Sequence, residues 1–421
     1  MHRLTFGRAA ARLLSAVLLV AACDSPADPQ PAPRIESLPR ALTEAEAGLI
    51  DAGEAFAFDF LKQVVREEGA RANVFVSPLS ASMALGMTLA GAEGGTFEAM
   101  RASLRLQTLA REDIGISYRS LIDLLSGLDP AVRVEIGNSV WHREGFALEN
   151  SYVTEVERDF LATVGGLDFN DTGAADVIND WVQDATDGLI DGIVEPPIDP
   201  LTMAFLINAI YFEGQWTTPF DPARTSAGEF RRSDGSASTV PFMWMSDQRF
   251  PFAATPDYQA IEIPYGGEAF AMTVVVPSEA IGVGAFVESL DAEAWAGIIS
   301  SLGKTEILVG MPKFSLEYEK SLNEVLKTLG MEVAFDETAA DFSRMHRDAL
   351  AMGLHISRVK QKAFVEVDEE GTRAAAVTSV EVGVTSVPPT FVADRPFVFA
   401  IRERLSGAIL FTGVVRDPAA G

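Results

Sequence analysis

Apolar positions recur at helical spacing in the early part of the chain and at every second residue near its end. The stretch GEAFAFDFLKQVVREE sets Phe56, Phe60 and Val64 four apart, which predicts a helix with one apolar stripe. SPLSASMALGMTLAGA opens with Ser77 as an N-cap and Pro78 at the first helical position, and its Ala, Ser and Gly predict a closely packed central helix. SLNEVLKTLG predicts a third helix, capped by Ser321 with Glu324 and ended by Gly330. Strand-like runs follow in AFLINAIYF, AFAMTVVVP, TEILVGMPKFSL and ISRVKQKAFVEV, and in the late pair PFVFAIR and AILFTGVV around Ser406-Gly407. Helices early and strands late predict an α+β fold, and with no second linker beyond about residue 44, residues 44–421 read as one domain.

One alternating stretch has no evident neighbour. From residue 372, Thr372, Ala374, Ala376, Thr378, Val380, Val382 and Val384 form a small or apolar row. Arg373, Ala375, Val377, Ser379, Glu381, Gly383 and Thr385 form the other row. Such a period marks a strand with one buried face. Yet no hairpin turn returns it to a partner, and it runs into Pro388 and Pro389.

Composition narrows the possibilities. The 421 residues are 48% hydrophobic and 22% charged, as in a globular protein with a large core. The net charge of −27 argues against nucleic acid as a partner and against a basic glycosaminoglycan site. A single Cys excludes an internal disulfide framework and a thiolate zinc site, and no metal or other cofactor is expected. The start of the chain accounts for that Cys. Arg3, Arg8 and Arg12 precede an apolar run from Leu13 to Ala22, too short to span a bilayer and suited to an export signal over 1–22. The run Leu19-Val20-Ala21-Ala22-Cys23 resembles a bacterial lipobox, which implies lipidation of Cys23. The alternative is a plain secretory signal cut after Ala22. Residues 23–43 read as a Pro-rich tether, and at about 3.1 Å per residue its extended part spans roughly 50 Å. The expected location is therefore a membrane-anchored lipoprotein, periplasmic or on the cell surface, or alternatively a secreted protein.

Catalytic motifs are sparse. Beyond His2 in the signal, only His142, His346 and His355 remain, with no H-E-x-x-H and no G-x-S-x-G. IGVGAFVES lacks the third glycine of a dinucleotide fingerprint and reads as a turn before a helix. DFNDTG (168–173) has the wrong ligands for a calcium loop and reads as a surface turn. Asp368-Glu369-Glu370 reads as a solvated strand end.

The stretches NVFVSPLSASMALGMTLAGAEGGT, FLINAIYFEGQWTTPFDPART, PKFSLEYEKSLNEVLKTLGM, AFVEVDEEGTRAAAVT and DRPFVFAIRERLSGAILFTGVVRDP together resemble the serpin family. The resemblance implies three β-sheets, eight or nine helices and an exposed reactive loop near the C-terminus. It also implies that the loop is bait: a target protease cleaves it, and its N-terminal part enters the main sheet as a new strand. The hinge would comprise Glu370, Gly371, Thr372, Ala374, Ala375, Ala376 and Thr378. Counting from Gly371 places the scissile bond at Thr385–Ser386, or one or two residues away, with Val384 and Val382 setting specificity. An uncharged β-branched residue before the bond suits elastase-like, subtilisin-like or papain-like proteases. Trp216 matches the tryptophan at the top of the main sheet. Ser77, Ser80 and Asn208 match the polar cluster beneath its centre, where Gln361 stands in place of the family's usual His. Gln361 shares a row with Val359, Ala363, Val365 and Val367, so it should be buried and hydrogen-bonded. The expectation is a monomeric protease inhibitor rather than an enzyme. The alternative is a non-inhibitory member acting as a binding or chaperone-like protein, whose hinge would carry bulky, charged or Pro residues.

Overall fold

The computed structural model describes residues 33–70, 72–372 and 389–420. Its helices are α1 (Glu44–Glu68), α2 (Pro78–Ala90), α3 (Gly94–Ser103), α4 (Arg111–Leu125), α5 (Asn150–Asp159), α6 (Ala174–Ala185), α7 (Gly282–Ser289), α8 (Ala292–Ser301), α9 (Asn323–Leu326) and α10 (Ala349–Met352). The strands are β1 (Val74–Val76), β2 (Val132–Arg143), β3 (Thr163–Leu167), β4 (Ala204–Gln215), β5 (Ser226–Arg231), β6 (Ala237–Ala254), β7 (Tyr258–Tyr265) and β8 (Phe270–Pro277). They continue with β9 (Gly303–Pro312), β10 (Phe314–Ser321), β11 (Lys360–Val367), β12 (Gly371–Thr372), β13 (Thr390–Val392), β14 (Phe397–Glu403) and β15 (Ile409–Val415). The α+β class holds, with ten helices among the described residues where eight or nine were expected. Two of the ten, α9 and α10, are single turns of four residues.

The predicted stripe of α1 is buried: Phe56, Phe60 and Val64 have no exposed surface, and the two rings stack 5.4 Å apart. Ser77 caps α2 by accepting from Ser80 N, with Pro78 at the first helical position. Helix α2 packs against both β4 and β15. Its small residues are needed, since a Cβ at Gly86 would lie 2.9 Å from the Tyr118 ring and 3.0 Å from that of Phe160.

Six strands form the main sheet, in the order β10-β11-β12-β4-β2-β3. The other nine form a second sheet, with β1-β15-β14-β8-β7 joined to β6, β9, β13 and β5. The two portions meet through three residue pairs between β6 and β7, Phe252 with Ile261, Ala253 with Ala260 and Ala254 with Gln259. The second and third sheets implied by the resemblance are thus continuous here, because 18-residue β6 reaches from one into the other.

The cap predicted for the third helix does not form, and Leu322, which precedes the helix, makes no side-chain cap bond. Ser321 ends β10 opposite Lys360, so its backbone serves the sheet. Asn323 instead accepts from Val359 N and donates to Ser357 O, and the helix runs 323–326 before a π turn at Lys327–Met331. Gly330, expected at the helix end, has φ 109°.

The fold also begins ahead of residue 44. Residues 33–43, read as the end of a free tether, are packed on the domain, with Ile35, Leu38 and Leu42 against the main core. Thr43 and Glu46 form a capping box at the start of α1, and Arg40 holds the Glu46 carboxylate through two bonds of 2.7 Å. The Arg40 contact, despite burial, brings the Glu46 carboxyl down to about 2. A carboxyl near 4.3 when unfolded and about 2 when folded stabilises the fold above the first value, and that contribution disappears as pH falls through the second. Wild type should lose on the order of 1–2 kcal/mol between pH 4.5 and 2 from this group, after allowing for the solvent around Arg40. Thermal melts of Glu46→Gln across that range should lack this part of the slope.

Candidate functional site

The top of the main sheet is built around two residues. Gly371 and Thr372 form β12, antiparallel to both neighbours: Thr372 pairs with Val367 of β11 and with Gly214 of β4, and Gly371 with Gln215. Gly371 is required by proximity, since a Cβ there would lie 2.2 Å from Gly214 O and 2.7 Å from Gln215 Cα. Thr372 is 5% exposed, and its hydroxyl lies 2.8 Å from the Tyr265 hydroxyl. Tyr265 in turn stacks on Trp216 at 4.4 Å. The predicted tryptophan and the expected hinge residues Gly371 and Thr372 are therefore in one cluster.

The acidic turn before β12 is fastened from the same side. Trp216 Nε1 donates to Asp368 O at 2.9 Å, Trp216 N to Glu370 O at 2.8 Å and Phe220 N to Glu369 O at 2.7 Å. Asp368 Oδ1 accepts from the backbone N–H groups of Glu370 and Gly371. Glu369 is not the solvated strand end expected from the sequence. It is 8% exposed, 2.6 Å from Lys313 Nζ, and accepts from Thr225 Oγ1 at 2.7 Å. Burial alone would raise its pKa, but Lys313 and Thr225 outweigh that effect and hold the carboxyl below its ordinary value.

The polar cluster lies farther down, between β4, β11 and α2. Gln361 is 6% exposed and binds the backbone of Ser77 through both amide ends, Nε2 to Ser77 O at 2.8 Å and Oε1 from Ser77 N at 3.2 Å. Ser77 Oγ donates to Leu410 O, and Ser80 Oγ to Asn208 O at 3.3 Å. Asn208 Nδ2 donates to Asn138 Oδ1 at 2.9 Å, while its Oδ1 accepts no hydrogen bond among the described residues. A cavity of about 30 Å³ lies among Ser77, Ser80, Asn208 and Gln361, enough for one water molecule. Its walls come from both β4 and β11, which do not pair directly among the described residues.

The remaining hinge positions Ala374, Ala375, Ala376 and Thr378, the specificity positions Val382 and Val384, the bond Thr385–Ser386, and Cys23 lie outside the described residues. Three groups escaped the sequence reading: Tyr265, Asn138, and the Glu369–Lys313–Thr225 contact. Tyr265 and Asn138 depend on strand register, and Glu369, Lys313 and Thr225 stand just outside strands, on segments far apart in the chain. Asn138 faces Asn208 directly across β2 and β4, a pairing that one chain's sequence does not display.

Gln361 makes a testable difference. A neutral amide does not titrate, so the unfolding rate should stay flat between pH 5 and 8 on its account. In Gln361→His, a buried imidazole would have to charge as pH falls, and unfolding should accelerate about tenfold between pH 7 and 5. Stopped-flow unfolding of both proteins would show it.

The main sheet thus holds a two-residue strand between β11 and β4, above a polar cleft. The chain matches the serpin (serine protease inhibitor) family over residues 51–418. It is 35% identical over 354 residues to intracellular coagulation inhibitor 2 of Tachypleus tridentatus, covering 82% of this chain and 86% of that one. Against glia-derived nexin of Rattus norvegicus the identity is 32%, covering 82% and 88%. Among solved structures, native tengpin, a thermophilic serpin, superposes with a TM-score of 0.79 at 28% identity, over 92% of this chain and 97% of that one. Thyroxine-binding globulin in complex with thyroxine gives 0.79 at 26%, over 88% and 99%. The chain belongs to the serpin family.

Proposed function

We propose that this serpin is an irreversible suicide-substrate inhibitor of elastase-like, subtilisin-like or papain-like proteases. The protease attacks the Thr385–Ser386 bond with its own Ser or Cys and forms an acyl-enzyme. Before water completes hydrolysis, the loop enters the main sheet and carries the protease with it. About fourteen residues at about 3.3 Å each give roughly 45 Å of inserted strand.

The observation that carries this reading is β12, already paired on both sides. On insertion, the register of Thr372 continued by count would set Ala374 opposite Phe212 and Val365, and Ala376 opposite Ile210 and Ala363. Thr378 would then come opposite Asn208 and Gln361, where its hydroxyl could donate to the Asn208 Oδ1 that accepts no bond among the described residues. The row that would turn inward carries no charge, so insertion leaves no ion unpaired. We further propose that the protein acts as a monomer, exported and anchored by lipid on Cys23, and binds neither nucleic acid nor glycosaminoglycan. Labelling with a radioactive fatty acid should mark the wild type and not Cys23→Ser.

The direct test mixes the purified protein with elastase-like, subtilisin-like, trypsin-like and papain-like proteases and reads a denaturing gel with intact-mass analysis. The reading requires a covalent band at the summed mass and a released peptide beginning at Ser386. Cleavage in the loop with neither a complex nor a gain in thermal stability would overturn it and favour a binding protein.

A further inference from the structure

The segment Pro33–Arg40 does more than leave the domain. Ile35 N donates to Gly267 O at 2.7 Å, and Arg34 Nε lies 2.9 Å from Glu268 Oε2. Gly267 fits closely beneath it: a Cβ there would be 2.6 Å from Pro33 O and 3.3 Å from Asp129 Oδ2. At the other end, Arg40 grips Glu46 and donates to Ser120 Oγ at 2.5 Å. The segment is thus fastened at both ends, with Ile35 and Leu38 packed against the main core between them.

The turn that it grips belongs to the top of the main sheet. Gly266 N donates to Gln215 O at 2.8 Å, and Thr217 N to Pro264 O at 2.9 Å. Thr217 Oγ1 donates to Gly266 O at 2.9 Å, and Tyr265 bridges to Trp216. Gln215 is the partner of Gly371. One hydrogen-bonded turn therefore separates Ile35 from the residue that receives the hinge glycine.

We infer that residues 33–40 are a strap that sets how readily the top of the main sheet opens, so that the N-terminal tether and the hinge are coupled through the turn 264–268. Losing Ile35 from Gly267 frees the turn, and the turn no longer braces Gln215, Trp216 and Thr217 against the β11–β12 connection. The coupling exists whether or not the loop traps a protease, so its test does not depend on inhibition.

The test is hydrogen exchange read by mass spectrometry on the full-length chain and three variants. Ile35→Pro removes the donor to Gly267, Arg34→Ala removes the ion pair, and Ile35→Val keeps the donor and a branched side chain. In Ile35→Pro, peptides covering 214–217 and 368–372 should exchange about five- to tenfold faster, with Arg34→Ala smaller and Ile35→Val like wild type. Peptides from β14 and β15 should not change. Acceleration confined to 33–40 and 266–268 would overturn the inference, because the strap would then hold only itself. Equal acceleration throughout the domain would also overturn it, showing a general loss of stability rather than coupling to the hinge.

Discussion

Thr372→Arg should be cleaved in its loop at close to the wild-type rate and yield almost no covalent complex. Thr372 is 5% exposed, paired on both sides, and bound to the Tyr265 hydroxyl 2.8 Å away. A guanidinium there would be buried beside the Tyr265 hydroxyl rather than a carboxylate, at a cost of several kcal/mol. Keeping it wet instead means pulling β12 out of the sheet, which removes the paired start from which insertion proceeds. A penalty of about 3 kcal/mol slows insertion roughly 150-fold. Hydrolysis of the acyl-enzyme would then finish first, and the fraction of protease trapped should fall at least tenfold. Thr372→Ser keeps the hydroxyl and should trap nearly as well as wild type. A Thr372→Arg protein that still formed complex in full would show that insertion does not begin at β12.

Glu369→Lys should shorten the lifetime of the active protein without blocking the first encounter with protease. The substitution replaces an ion pair of 2.6 Å with two cations, Lys313 and the new side chain, in a region where Glu369 is 8% exposed. The bond from Thr225 Oγ1 is lost as well. The turn 368–371 would then lose this side-chain anchor and keep the carbonyl contacts with Trp216 and Phe220, the bonds to Asp368 and the pairing of Gly371 with Gln215. On the proposed mechanism the native state is a kinetic trap, so the quantity to follow is the half-life of activity on warming, not an equilibrium melt. It should fall on the order of tenfold, with polymer or inactive monomer accumulating on a native gel. Restoring opposite charge in the double variant Lys313→Glu, Glu369→Lys should recover much of the loss. The ion pair also gives the wild type an acid limit: with its folded pKa depressed, the Glu369 contribution is present above the usual carboxylate range and lost as pH falls below it.

What the sequence showed depended on how local each feature is. The stripe of α1, the Ser77–Pro78 start of α2 and the burial of Gln361 follow from spacing within a few residues, and each appears in the structure. Trp216 and Gly371 were singled out through the family resemblance. Tyr265 was missed because nothing in its neighbourhood marks the one aromatic hydroxyl that meets Thr372. Its role comes from β7 lying beside the end of β4, a contact between distant segments. Glu369 was misread for the same reason: three consecutive acids look solvated until Lys313, just after β9, and Thr225, just before β5, are brought to one of them. The Ser321 cap failed because a good local signal lost to strand pairing with Lys360. The residues 33–43 looked like linker because five prolines in 24–40 dominate the composition, although Arg34, Ile35, Leu38 and Arg40 supply what is needed to dock.

The two-residue strand β12 also bears on how fast a new strand can form. Starting a strand from a free loop requires closing the loop and fixing the first pairs before any neighbour compensates, an entropic threshold that grows with the length of free chain. Here the first pairs exist before cleavage, flanked on both sides. Strand growth can therefore proceed as zippering from a standing nucleus, each residue added beside two waiting edges. On the proposed mechanism the threshold is met during folding, when time is plentiful, rather than in the interval between acylation and hydrolysis. Lengthening the loop beyond residue 378 should on this account slow trapping far less than lengthening it next to Thr372, where added residues would detach the nucleus from the chain that must follow it.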